Sequence, residues 1–272
     1  MGEKLKVGRH MNRSKFSLIG FSGFVGNTLL KQAKFDALYR STDIADIDGK
    51  EFNVVVCSGA PAQKWIANKH PNEDRTNIEN LISHLNTIQC NILILISTID
   101  VFNNSIDVDE DSTVEEYDLH SYGLHRRLLE KFIQQRFSRH LIVRLPGLVG
   151  PGLRKNVIFD FLNDNNQMAI DSRGIFQFYP MVNLWYDIQI ALQAGISLLH
   201  LTAEPLSVKE IAEQGFGKSF ENHLANPPSR YDMRTRHANL FGLAGQYQYS
   251  RRESIQAIRA YAQSEPRTLH AI

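Results

Sequence analysis

Two side chains in HSYGLHRRLLEKF have the types and spacing to move a proton. Tyr122 and Arg126 stand four residues apart, which places them on one face of a helix. A tyrosine beside a fixed cation ionises more readily than a free one. A free phenol has a pKa near ~10, so working near neutrality requires about 4 kcal/mol of differential stabilisation. A third group, Thr98, follows the apolar run that opens LISTIDVF (95–102). A hydroxyl at the carboxyl end of a strand can hydrogen-bond a carbonyl or an alcohol. The same spacing also fits a plainer arrangement. There Tyr122 packs, Arg126 pairs with Glu130 one turn on, and Thr98 satisfies loop backbone.

These groups need elements to hold them, and the chain offers a strand–turn–helix unit near its start. The apolar run 16–19 leads into Gly20, Gly23 and Gly26, and an amphipathic stretch (25–33) follows. The first glycine permits a tight turn, the second lets an anion approach the backbone, and the third lets helix pack on strand. The free N–H groups at the helix start, with the helix dipole, make an anion site.

Val-, Ile- and Leu-rich runs at 16–19, 36–39, 53–57, 92–96 and 141–145 show little alternation and predict strands buried on both faces. Helical patterns at 27–34, 75–85 and 122–137 separate them. The alternation predicts an α/β fold, a doubly wound parallel sheet. After Gly150 the texture changes. IFQFYPM (175–181) predicts a strand, and Asn183 a cap for a helix through Gln193. ISLLHLT (196–202) reads as a strand returning to the main sheet. Ser207 with Glu210 forms a capping-box pattern, and 250–263 a terminal helix before a fraying SEPRTLHAI. The expected division is a nucleotide-binding part over 12–152 and a smaller C-terminal substrate lobe over 153–272. Residues 1–11 read as a leader, disordered or foreign to the native chain.

The chain has 272 residues, 43% hydrophobic and 22% charged, which suits a core without disulfides. A formal net charge of +1 gives no reason to expect nucleic acid or an acidic membrane as partner. No apolar stretch approaches the ~18 residues that span a bilayer, and the basic leader lacks the apolar core of a secretory signal. The expected setting is the cytoplasm. Cys57 and Cys90 adjoin apolar runs and read as small buried hydrophobes; no metal-ligand cluster is visible.

In this order, GFSGFVG (20–26), Asn77 in the helix after CSGAPA, STIDVF (97–102), YGLHR (122–126) and VRLPGLVGPG (143–152) resemble the extended short-chain dehydrogenase/reductase family of sugar-nucleotide epimerases, dehydratases and reductases. The resemblance implies a Rossmann-type sheet and an NAD(P) cofactor. Gly20, Gly23 and Gly26, with backbone from Phe24 and Val25, would hold the pyrophosphate. Ser58, Gly59 and Ala60 would flank the adenosine half and ribose. Pro146 would lie beside the nicotinamide, Thr98 would bind the reacting oxygen, and Tyr122 would be the general acid/base. Arg126 would orient ribose and lower the tyrosine pKa. Arg154, Lys155 and Asn156 would bind the diphosphate of a nucleotide-sugar substrate, and a homodimer is the implied assembly.

The sequence departs from the family in two places. The lysine of YxxxK is Arg126, which keeps the charge but is bulkier and planar. This leaves two functions open: an active oxidoreductase or epimerase, and a non-catalytic NAD(P)-binding sensor. The second strand ends at Arg40-Ser41 rather than at an acidic residue, which favours NADP over NAD because an arginine can pair a 2′-phosphate. Asp43, Asp46 and Asp48 read as a solvated acidic loop.

Overall fold

A computed structural model describes residues 16–267. The predicted leader and the last five residues of the fraying tail lie outside them. The first part of the chain runs β1 (Phe16–Ile19), α1 (Phe24–Gln32), β2 (Ala37–Tyr39), β3 (Glu51–Cys57), α2 (Lys64–Lys69), α3 (Pro71–Thr87) and β4 (Gln89–Thr98). There follow β5 (Ile106–Val108), α4 (Ser121–Arg136), β6 (His140–Leu145), β7 (Gly147–Val149), α5 (Val157–Asn163), β8 (Ile175–Phe176) and β9 (Phe178–Pro180). The remainder is α6 (Leu184–Gln193), β10 (Leu198–His200), β11 (Leu206–Ser207), α7 (Val208–Glu210), β12 (Asp232–Met233) and α8 (Arg251–Ser264).

Six strands form one parallel sheet in the order β10-β6-β4-β3-β1-β2. The chain steps outward from β1 to β2, then back across to β3, so the strand order reverses between β1 and β3. Ligands of open parallel sheets bind outside the strand ends at such a reversal. The near-continuous apolar runs are explained by burial on both faces. In β3, Val55 and Cys57 face α3 and α4, while Val54 and Val56 face α1 and α6. β4 repeats the alternation, with Leu93 and Leu95 on one side and Ile92, Ile94 and Ile96 on the other. A third apolar cluster gathers Val149, Phe161, Phe178, Val208, Ile258 and Tyr261 from the later elements.

Several expectations shift at their edges. β4 begins three residues earlier than its apolar run: Gln89 and Cys90 pair with Glu51 and Phe52 of β3. α3 begins at Pro71, a residue suited to the first helical position. IFQFYPM is two strands with different partners: β8 pairs with β11, and β9 with β7. Gln177 divides them; its buried side chain donates to the carbonyls of Ala203 and Met233 and accepts the N–H of Met233. The Asn183 side chain does not cap α6. Gln32 of α1 does that work, accepting the Trp185 N–H and donating to the Met181 and Val182 carbonyls. The capping boxes at Ser207 and Ser250 both form, though α7 passes at once into a π turn over Ile211–Gly215.

Candidate active site

The glycine turn lies where β1 gives way to α1. Gly20 has φ +86°, and a Cβ there would stand 2.5 Å from the Ser58 carbonyl oxygen. A Cβ on Gly26 would stand 2.1 Å from the Gly20 carbonyl oxygen. Both positions therefore exclude any side chain. Gly23 differs: its nearest neighbour would be 3.5 Å away, so its missing side chain serves space above the turn rather than packing within it. Gly23 caps α1 without a side-chain bond, leaving first-turn N–H groups, including those of Phe24 and Val25, free to face an anion. Ser58 closes the turn by donating to the Ile19 carbonyl, and Gly59 packs against Ile19 and Leu81. Ala60 packs on the α3/α4 side of the core. This cradle fits a dinucleotide pyrophosphate.

Arg40 and Ser41 follow β2 directly and are exposed. Arg40 is not idle: its backbone N–H and guanidinium both engage Asp43. Pro146 sits between β6 and β7, half-buried.

The tyrosine end of the site is assembled by β4, α2, α3 and α4. Thr98 ends β4, and its hydroxyl accepts the Asp100 N–H at 3.1 Å. Tyr122 opens α4, buried, with its backbone N–H held by Asn68 of α2 at 2.9 Å. The Arg126 guanidinium lies 4.0 Å from the centre of the Tyr122 ring. Burial pushes the Tyr122 phenol above its ordinary value; Arg126, a Thr98 hydrogen bond and Lys64 pull it down, and Asp100 pushes it up. The lowering expected from Arg126 is thus present but outweighed by desolvation.

Arg126 is also occupied elsewhere. It donates to the Asp74 carboxylate, to the Pro61 carbonyl and, at 3.3 Å, to the Tyr122 carbonyl, while its buried Nε has no partner. His125 binds the same Asp74 carboxylate at 2.7 Å. Arg126 therefore does not stand free as a ribose donor. Nor does it pair with Glu130, which is fully buried and holds Arg127, Arg144 and Ser97. Asn77, the helix residue of the resemblance, is exposed; Asp74, almost one turn earlier, is the buried polar group of α3.

Four further groups join this cluster without having been singled out: Lys64, Asp100, His120 and Tyr231. The Lys64 ammonium lies 2.7 Å from Asp100 and 3.3 Å from the Tyr231 hydroxyl. Burial pulls that ammonium down, but Asp100 and Tyr231 outweigh it and the net shift is upward. His120 accepts the Gly123 N–H at the start of α4, and burial, then Lys64, lowers its pKa.

The trio after Gly152 divides. Lys155 donates to the Ala62 carbonyl, and burial lowers its ammonium pKa, with Asp100 raising it and Arg126 lowering it. Arg154 is exposed and makes no ion pair among the described residues. Asn156 is consumed in structure: at φ 96° it accepts the N–H groups of Ile158 and Phe159 and donates to the Leu148 carbonyl. Among the described residues no His/Cys/Asp/Glu group could hold a metal, and no helix is long and apolar enough to cross a membrane.

No family model and no curated protein matches the sequence. Solved structures do match the fold. A dTDP-4-dehydrorhamnose reductase from Clostridium acetobutylicum is 16% identical, with TM-score 0.68 over 91% of this chain and 98% of that one. RMD from Pseudomonas aeruginosa, complexed with NADPH, is 17% identical, with TM-score 0.65 over 92% and 99%. The Bordetella bronchiseptica enzyme WbmG, in complex with NAD, is 15% identical, with TM-score 0.69 over 93% and 95%. The chain shares with them a Rossmann-type fold.

Proposed function

We propose that the chain binds NAD(P) and acts as an oxidoreductase or epimerase on a nucleotide sugar or a similar carbonyl/alcohol substrate, with Tyr122 as general acid/base. One observation carries the reading: the buried Tyr122 phenol sits beside the Thr98 hydroxyl at the carboxyl end of β4, on the sheet edge that also bears the glycine cradle. The structures of similar fold with NADPH and NAD support it.

Backbone from Gly20 to Gly26, with the N–H groups of Phe24 and Val25, would hold the pyrophosphate. Ser58, Gly59 and Ala60 would border the adenosine half and ribose, and Pro146 the nicotinamide. Arg40 and Ser41 would receive a 2′-phosphate, which favours NADP; that phosphate competes with Asp43 for the guanidinium. A bound nicotinamide supplies hydride exchange with a substrate carbon. In the reducing direction Tyr122 gives its proton to the substrate oxygen and Thr98 hydrogen-bonds that oxygen. A phenol raised by burial keeps its proton at neutral pH, which suits donation. Arg154 and Lys155 would meet the substrate diphosphate, with Asn156 fixing their loop. The elements around the third apolar cluster would form the substrate lobe of a cytoplasmic homodimer.

Tyr122→Phe tests the assignment. It should abolish turnover and leave NAD(P)H binding nearly intact; loss of binding together with turnover would contradict the role. A second reading, a non-catalytic dinucleotide-binding protein, is favoured by the capture of Arg126 by Asp74. Arg126→Lys separates them: a gain of activity indicates a decayed site, a loss indicates adapted catalysis.

A further inference from the structure

The family pattern asks for a flexible ammonium one turn after the tyrosine. This chain puts there a guanidinium that is 3% exposed and bound to Asp74 and Pro61. Its terminal nitrogens are engaged by Asp74 and Pro61, and its unpaired Nε is buried away from any ligand. A second cation is not so bound. α2 lies across the start of α4, where Asn68 takes the Tyr122 N–H. Lys64 stands four residues before Asn68, hence on the same face of α2. Its ammonium is held by Asp100 and Tyr231, and its third N–H has no acceptor among the described residues. The side chain is 37% exposed, so that N–H can meet an incoming hydroxyl.

Resting on the reading of Tyr122 as acid/base, we infer that Lys64 is the working ammonium of the site: a positioning residue that supports the Tyr122 phenolate and donates to a hydroxyl of the dinucleotide ribose. Asp100 and Tyr231 aim it, and Arg126 serves as a fixed brace beneath the tyrosine ring. The groups facing Tyr122 are Arg126 from α4, His120 before it, Thr98 and Asp100 from the end of β4, and Lys64 from α2. Those facing Lys64 are Asp100, Tyr231, His120 and Tyr122 itself. Arg126 exerts the larger pull on the phenol, but its one unpaired donor, Nε, is buried. Electrostatic support is thus shared, whereas the hydrogen bond falls to Lys64.

The test uses the full chain labelled with 3-fluorotyrosine, whose phenol ionises at lower pH, with the Tyr122→Phe protein identifying the position-122 fluorine signal. Removing a cation destabilises phenolate, so Lys64→Met should raise the Tyr122 titration midpoint by about half a pH unit. It should also weaken NADPH binding about tenfold in a fluorescence titration. Lys64→Arg should restore the midpoint, and thermal melts should show all variants folded. An unmoved midpoint with unchanged NADPH affinity overturns the inference. The two readouts fail separately: if wild-type protein binds no NAD(P)H, the cofactor reading falls, while the fluorine titration still reports the Lys64–Tyr122 coupling.

Discussion

The glycine turn and the tyrosine cluster sit on the same edge of one sheet, yet they are built by opposite means. The turn is backbone: Gly20 and Gly26 are dictated by contacts of 2.5 and 2.1 Å that any Cβ would make. The cluster is side chains, contributed by α2, α3, α4 and the end of β4, and each one is held by another. A backbone site is specified by the absence of atoms and fails abruptly when atoms are added. A side-chain network is specified by pairing, and it fails by leaving a partner buried and alone.

Substitutions that exploit the contrast differ in size. Gly26→Ala should be the most damaging, since its methyl would meet the Gly20 carbonyl; a loss of roughly 3 kcal/mol or more is expected, with dinucleotide binding abolished. Thermal melting alongside an NADPH titration reads both, and a stable, binding-competent variant would break the comparison at its strongest point. Asp74→Asn should cost about 3 kcal/mol by leaving Arg126 buried without its counter-charge. Urea denaturation measures it, and a change near zero would mean the network does not hold the cluster.

A deeper network under the same strands sharpens the point through pH. His200 accepts from Arg144 on Nε2, lies on the Arg234 carbonyl through Nδ1, and is lowered to about 3, mainly by burial and then by Arg144. Below its ordinary 6.5 the unfolded chain takes up a proton that the folded chain refuses until about 3. This contribution to stability is therefore complete above 6.5 and falls away as pH drops towards 3, by on the order of a few kcal/mol. Melting temperature measured across that range should slope less in His200→Gln than in the wild type; equal slopes would remove the histidine from the account.

Gly23→Ala should show the smallest stability effect. With φ −75° and only an ordinary 3.5 Å contact to the Gly20 carbonyl oxygen, the substitution should change stability by less than about 1 kcal/mol. It should nonetheless weaken dinucleotide binding, because the methyl would occupy the approach to the turn. Unchanged affinity would place the ligand elsewhere.

The same contrast decides what the sequence could disclose. Glycine spacing and apolar runs are local, so the turn and the sheet were legible, including the return of β10 beside β6. The pairing of Gln89 with Glu51 lay beyond the apolar pattern, since neither side chain is apolar. Tyr122 and Arg126 were legible as a pair, but the fate of Arg126 depended on Asp74, 52 residues away. A signal existed: Asp74, Ile78, Leu81 and Leu85 share one helical face, and a carboxylate on an apolar stripe needs a buried partner. Lys64 had no such mark, because a six-residue helix shows no periodicity to break. Asn156 carried a resemblance to substrate binders while its amide was already spent on capping α5.

The most direct measurement is a fluorescence titration of the purified wild-type protein with NADPH and with NADH, after a check for co-purified cofactor. The account predicts saturable binding of both, with NADPH the tighter through Arg40. Binding of neither would contradict it, leaving a Rossmann-type fold whose glycine cradle holds something other than a dinucleotide.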